Sequence, residues 1–325
     1  MVARGKIFGG RKMKFKKLGT VIALVVSALT LTACGTDNQA TFIKNNAELA
    51  KLSTQTFELK LADLKAISSG DAKAYVPIIN GYLSSTKFSG KSMQDGKNAQ
   101  VNLNLSLAGQ EIPLEIVTQD TNTYLKLETL KPILDMYLQY AGVGEVSKGL
   151  DLAKIRGKYL DINAISKESG QKTEGVSALT SEDAKKALDK AYQSLGKSDF
   201  KKEGSAITLT LSGEKVAKFI KVYLTGLPKE TSQSFEDLTK DKEFEKNLSK
   251  IIKSIVMTTD MQKKTSNLEL NFTGKEVTGF GLDGKVSFQT TYTNAKVTVK
   301  ISTQANRIDS TNALMQLFSG SAQMN

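Results

Sequence analysis

The chain contains no histidine, no tryptophan and one cysteine, Cys34. Without histidine, serine–histidine and cysteine–histidine catalysis are excluded. Without histidine or a spare thiol, no ordinary zinc or copper site can be assembled, and no cofactor is expected. A single cysteine closes no intramolecular disulfide, so the fold must be held by its core. Arginine is nearly as scarce: after residue 33 only Arg156 and Arg307 occur. Arginine is the side chain that forks onto phosphate and guanine, so its scarcity argues against nucleic-acid binding. Acidic residues are missing from the start of the chain, the first being Asp37.

What that acid-free segment contains is a basic flank and then an apolar run. Lys14, Lys16 and Lys17 precede residues 18–31, which are apolar or small and uncharged. As a helix those residues would span about 21 Å, short of the ~30 Å core of a bilayer. The run has the dimensions of a signal-peptide hydrophobic region, oriented with its basic end in the cytoplasm. It ends in Leu31-Thr32-Ala33-Cys34. This tetrapeptide resembles the lipobox of bacterial prolipoproteins. The resemblance implies a diacylglycerol thioether on Cys34 and cleavage before it. It thus implies a lipid-anchored protein on the extracytoplasmic face of the cell membrane. Residues 1–33 are accordingly read as a signal peptide, with Met13 as the expected true start and residues 34–45 as the lipidated cysteine plus a short tether.

Removing that leader changes the charge. Arg4, Lys6, Arg11, Lys12, Lys14, Lys16 and Lys17 would leave with it, so 38 of the 45 basic residues remain against 33 acidic ones, a net of +5 instead of +12. The remaining 292 of 325 residues suffice for one large domain or two small ones. Residues 46–310 are expected to form the α+β domain and 311–325 a C-terminal segment with a frayed tail.

Along the domain, alternation and helical spacing take turns. Phe57, Leu59 and Leu61 alternate with charged neighbours as in a strand. Val101, Leu103, Leu105 and Leu107 share one face, Ile112, Leu114 and Ile116 return, and residues 124–127 add a third strand. Leu130, Ile133, Leu134, Tyr137 and Leu138 then fall at helical spacing, and residues 158–162 read as another short strand. Ala184, Ala187, Leu188, Ala191, Tyr192 and Leu195 line a helix capped by Thr180 or Ser181. Ile207, Leu209 and Leu211 alternate, and Ser212 caps a helix striped by Val216, Phe219, Ile220, Tyr223 and Leu224. This echo of strand and helix raises the reading of two similar halves. A longer helix is expected over residues 234–256. Leu268, Leu270 and Phe272 form a strand, Thr273-Gly274-Lys275 a turn, and Asp283-Gly284 a two-residue hairpin with Gly284 at positive φ. Val286, Phe288 and Tyr292 continue in phase, while Val297, Val299 and Ile301 are out of phase, so a break is expected near Asn294.

Apparent catalytic motifs fail on context. Residues 279–284 match GxGxxG, but an alternating strand follows where dinucleotide binding needs a helix. Residues 90–97 have one residue too many for a P-loop, and Asn98 replaces the metal-binding hydroxyl. Ser84–Lys87, Ser194–Lys197 and Ser212–Lys215 share the S-x-x-K spacing, which lysine abundance produces by chance. Asp237, Asp241 and Glu245 recur every fourth residue, but interleaved lysines mark a solvated helix face. No catalytic residue is assigned, and the chain is expected not to be an enzyme.

The expected fold class is α+β, a curved, half-barrel-like antiparallel sheet with helices on its concave face. With the lipobox, the order of meander then helix and the segment Tyr124-Leu125-Lys126-Leu127, the domain resembles lipid-carrier lipoproteins of the LolA/LolB and LppX–LprG types. That resemblance implies a cavity between sheet and helices that holds acyl chains. The expected partners are the membrane, through the anchor, and a lipid or other apolar ligand. The helical stripes over residues 130–138 and 216–224, Phe219 included, are expected to face residues 101–107 across the cavity. The alternative is a structural or interaction lipoprotein that engages wall polymer or a membrane complex through its surface.

Overall fold

The computed structural model describes residues 37–61, 63–107, 109–120, 122–133, 152–168, 182–229, 243–277, 279–299 and 303–319. Cys34, Met13 and the whole signal segment lie outside these residues. So do the continuation of the 130–138 stripe beyond Ile133, the Thr180 or Ser181 cap, residues 234–242 of the expected long helix, and residues 320–325 of the frayed tail expected over 319–325, whose first residue, Ser319, instead ends a helix.

The strands are β1 (Thr54–Lys60), β2 (Leu64–Ile67), β3 (Lys87–Asp95), β4 (Asn98–Leu107), β5 (Gln110–Gln119), β6 (Asn122–Lys126), β7 (Tyr159–Asp161), β8 (Phe200–Glu203), β9 (Ala206–Ser212), β10 (Ile252–Asp260), β11 (Thr265–Val277), β12 (Phe280–Thr293) and β13 (Arg307–Ile308). They form a single curved, unclosed sheet in the order β13-β7-β6-β5-β4-β3-β1-β12-β11-β10-β9-β8, with β2 paired to β12. Every pairing is antiparallel except β13 with β7. The helices are α1 (Asn38–Ala50), α2 (Val76–Ser85), α3 (Leu152–Ile155), α4 (Ile162–Glu168), α5 (Glu182–Gln193), α6 (Gly213–Gly226), α7 (Phe244–Ile251) and α8 (Thr311–Ser319). The mixed α and β architecture with a large, curved, mainly antiparallel sheet is the one the alternation implied.

The order of elements repeats. β1 leads through β2 into α2 and back to β3, which pairs with β1 and opens the meander β3-β4-β5. β9 leads into α6 and, beyond it, α7 and back to β10, which pairs with β9 and opens the meander β10-β11-β12. The two series lie side by side because β1 joins β12 through seven residue pairs, Thr54–Thr293 to Lys60–Ser287.

Cross-strand partners share a face of the sheet, so the register sorts the side chains. Leu209 pairs with Met257, Met257 with Leu268, Leu268 with Phe288, Phe288 with Leu59, Leu59 with Phe88, Phe88 with Leu105 and Leu105 with Ile112. One apolar face therefore runs from β9 to β5 without interruption. The opposite face carries polar pairs such as Thr208–Thr258 and Asn271–Ser254, hydrogen-bonded at 3.0 and 3.1 Å.

At the β8–β12 end, α1, α5, α6 and α7 cover the apolar face and enclose the main core. α6 starts because Ser212 caps it, its Oγ accepting from the Lys215 N–H. Its apolar stripe then buries Val216, Phe219, Ile220, Tyr223 and Leu224. α5 buries Ala184, Ala187, Leu188, Ala191 and Tyr192, and the small alanines let α6 approach closely. A Cβ on Gly226 would stand 2.9 Å from that of Ala187. Phe42, Tyr192, Phe200 and Phe219 meet edge to face, with centroids 5.3–6.2 Å apart.

Several expectations need correction. Residues 38–45, expected in a tether, belong to α1: Asp37 caps it by accepting from the Ala40 N–H at 3.0 Å, and Phe42 is fully buried. Residues 252–256, expected as helix, begin β10; a bulge between Ile252 and Ser254 brings Ile252 and Ile255, three residues apart as on one face of a helix, to the same core face of the strand. Thr273-Gly274-Lys275 is a bulge inside β11, with Gly274 at φ +70°, while the chain reverses between Val277 and Phe280. Asp283 and Gly284 lie inside β12 instead of at its turn. Gly284 does have positive φ, +98°, but the cause is a close crossing: a Cβ there would fall 1.8 Å from the Asp63 carbonyl oxygen. Residues 297–299 form no strand, and Val299 packs on the opposite face with Val117, Tyr124 and Tyr159. The expected break near Asn294 is present, since β12 ends at Thr293.

Candidate functional site

Beyond β12 the apolar face continues under thinner cover. Phe57, Leu59, Phe88, Leu103, Leu105 and Leu114 all face the helix side, yet each remains partly exposed. Their counterparts Leu209, Leu211, Ile255, Met257, Leu268 and Leu270 are buried. The centre of the open stretch is aromatic. Phe57 stands between Phe88 and Phe288, with ring centroids 6.0 and 5.6 Å away. Gly90 makes this possible, because a Cβ there would lie 2.6 Å from the Phe57 ring and 2.7 Å from the Asn102 carbonyl. The ring of Phe57 fills the space that a side chain on β3 would otherwise take. The result is a mainly hydrocarbon floor, six strands wide from β12 to β6.

The far end of this floor is closed by a second, smaller cluster. Leu127, Ile155 and Ile308 are buried there, with Leu130, Leu160, Leu314 and Leu317 packed around them from α8 and its neighbours. Of the expected 130–138 stripe, Leu130 is thus part of a core and not of a cavity wall. The α6 stripe is also displaced from its expected place. It packs on β9, β10, α5 and α7, not on residues 101–107, and Phe219 is 2% exposed. The strand over residues 101–107 and the helical stripe over 216–224 form where their spacing places them along the chain; their placement against one another differs from the expectation.

The polar face holds one compact charged group. Lys126 Nζ lies 3.3 Å from Glu115 and 2.9 Å from Glu128, while the Tyr159 hydroxyl donates to Glu115 at 2.9 Å. Hydrogen bonding to Glu128 raises the Lys126 pKa, and hydrogen bonding to Lys126 lowers that of Glu128. Burial, reinforced by the Glu115 carboxylate, pushes Tyr159 up to about 12. Arg307 stacks 4.6 Å above the Tyr124 ring and donates to Gln119. Each charge has a partner, so this group fastens β13 and β7 to the meander.

The rejected motifs are spent on structure. The Ser84 and Ser194 hydroxyls donate to the carbonyls of Gly81 and Ala191, at 3.0 and 2.6 Å. Lys215 pairs with Asp199, and Glu245 with Lys221 at 2.6 Å. Asp237 and Asp241 lie outside the described residues. Residues 90–97 are strand β3 and its turn to β4, and the glycine motif 279–284 runs into strand, with no helix after it. Among the described residues no cluster of His, Cys, Asp or Glu could hold a metal ion. None of the described helices is long and apolar enough to cross a membrane.

Phe88 is the floor residue that sequence pattern does not single out, and its signal is weak for a physical reason. Along β3 the apolar-face positions are Phe88, Gly90 and Ser92, so alternation is lost where Gly90 makes room for Phe57. Fold and site together describe an α+β protein whose apolar sheet face is half enclosed and half left with partly exposed side chains. Comparison with known proteins yields no matching family model and no significantly similar curated sequence.

Proposed function

We propose that this chain is a membrane-anchored extracytoplasmic protein that binds or carries a lipid or another ligand with acyl chains. The observation that supports it is the partly exposed apolar floor around Phe57, Phe88 and Phe288, continuous with a well-packed core. A hydrocarbon floor selects for shape and hydrophobicity, which suits an acyl chain. Burying ten methylenes would supply about 8 kcal/mol of gross driving force at ~0.8 kcal/mol each, before association costs. The anchor expected at Cys34 would hold the protein beside its source of lipid.

The test is displacement of a fluorescent fatty acid from the full chain, with native mass spectrometry to identify co-purified lipid. Saturable binding that Leu103→Glu weakens, while circular dichroism stays unchanged, is the expected result. A folded wild-type chain that neither binds the probe nor carries lipid would overturn the reading and leave the surface-interaction alternative.

A further inference from the structure

From Asp37 onward the chain is fastened to the folded body. Asp37 caps α1 and pairs with Lys197 at 3.1 Å. The next two side chains are held as well: Asn38 donates to the Phe200 carbonyl at 3.3 Å and Gln39 to the Tyr192 carbonyl at 2.6 Å. One turn further, Phe42 is fully buried, edge to face with Tyr192 and Phe200. The start of α1 is thus fixed to the end of α5, to the turn at residues 196–199 and to the edge strand β8. Only Gly35 and Thr36 separate it from Cys34.

Cys34 is where the function proposed above puts the lipid anchor, and the inference rests on that anchor. Three residues extend over at most about 11 Å. A body built from the 292 residues after the leader has a radius of gyration of about 19 Å. A tether shorter than that radius does not let the body roll over. The side that carries the start of α1 stays at the bilayer, and the opposite side cannot reach it. We propose that the membrane-facing surface is the corner formed by the start of α1, the end of α5, the 196–199 turn and β8, resting on the lipid headgroups. Gln193, Ser194, Lys197, Ser198, Lys201 and Lys202 are exposed there. Their charge does not by itself select a bilayer. Lys197 pairs with Asp37, Lys215 with Asp199, and the exposed Glu203 and Glu214 offset Lys201 and Lys202. Covalent reach selects it. The other edge of the sheet, β13 with α8 packed on it, lies eleven strand spacings from β8, about 50 Å along the curve.

The absence of tryptophan makes the test clean, because a single introduced indole is the sole such fluorophore. The full chain carrying Ser198→Trp, purified from membranes, is reconstituted into phosphatidylcholine vesicles that contain a nitroxide-headgroup lipid, a quencher confined to the bilayer surface. Gln193→Trp is a second reporter at the corner, and Asn312→Trp, exposed on α8, is the control at the other edge. Intact mass shows whether Cys34 is acylated, and circular dichroism shows that each variant is folded. The expected result is an acylated chain whose indole at position 198 or 193 is quenched at least twofold more strongly than the one at position 312. An acylated, folded chain quenched equally at the corner and at position 312, or more at position 312, would overturn the placement and leave the anchor standing. An unmodified Cys34 would overturn the anchor and the placement together. Fatty-acid displacement reads the apolar floor alone, so lipid carriage can fail while the quenching difference is found.

Discussion

α2 and α6 occupy corresponding places in the two repeated series, yet they do opposite things. Each lies in the connection between two neighbouring strands of the sheet, α2 between β1 and β3 and α6 between β9 and β10. α6 buries seven of its residues, whereas α2 buries none and turns Ile78 and Tyr82 outward. The sheet beneath reflects the difference: β9–β11 are sealed, while β1, β3 and β4 keep partly exposed apolar side chains. Alternation along a strand thus fixes which side chains face the helices, but not how completely helices cover them. A sealed stretch provides stability, and on the reading proposed above the open one is where a ligand would lie.

Core truncations should break the comparison most sharply. Phe219→Ala should cost about 3–5 kcal/mol, because it removes a fully buried ring packed edge to face on Tyr192 and leaves a cavity. Phe57→Ala in the open stretch should cost clearly less, since part of the ring is already solvated. Equal losses in urea denaturation would mean that the open floor is an ordinary core. Next in size, Gly284→Val should destabilise by about 3 kcal/mol, from positive φ and the clash with the Asp63 carbonyl combined. Asn80→Ala should cost about 2 kcal/mol, because the Ala66 N–H, on a residue 1% exposed, loses its partner. Amide exchange should show α2 loosening in that variant while α6 stays protected.

The smallest effect lies on the polar face. Tyr159→Phe should cost about 1 kcal/mol through the lost bond to Glu115. The tyrosine has a raised pKa, so its contribution is present below pH 10 and is lost as pH rises through about 12. Wild type and Tyr159→Phe should therefore converge in stability at the alkaline end, and a difference spectrum should place one tyrosine titration near 12.

Much of this division is legible in the sequence, and the rest is hidden for physical reasons. The meander over β4–β6, the Ser212 cap and the α5 and α6 stripes follow from period and capping alone. Pairing of β1 with β12 does not, since it joins residues far apart along the chain, Thr54 with Thr293. Without it, α6 could be set opposite β4, where it does not lie. β3 is obscured by Gly90, and the start of β10 by a bulge after Ile252, which puts helically spaced isoleucines on one face of a strand. The exposed face of α2 breaks the rule by which apolar spacing is read as core, and is the feature least recoverable from pattern.

The most direct test of the central claim uses tryptophans introduced one at a time on the two stretches of the same face. Phe88→Trp reports on the open floor and Phe272→Trp on the sealed one. On titration with a brominated fatty acid in the absence of vesicles, saturable quenching is expected in the Phe88→Trp variant and none in the Phe272→Trp variant. Equal quenching of both, or of neither in a folded protein, would contradict it.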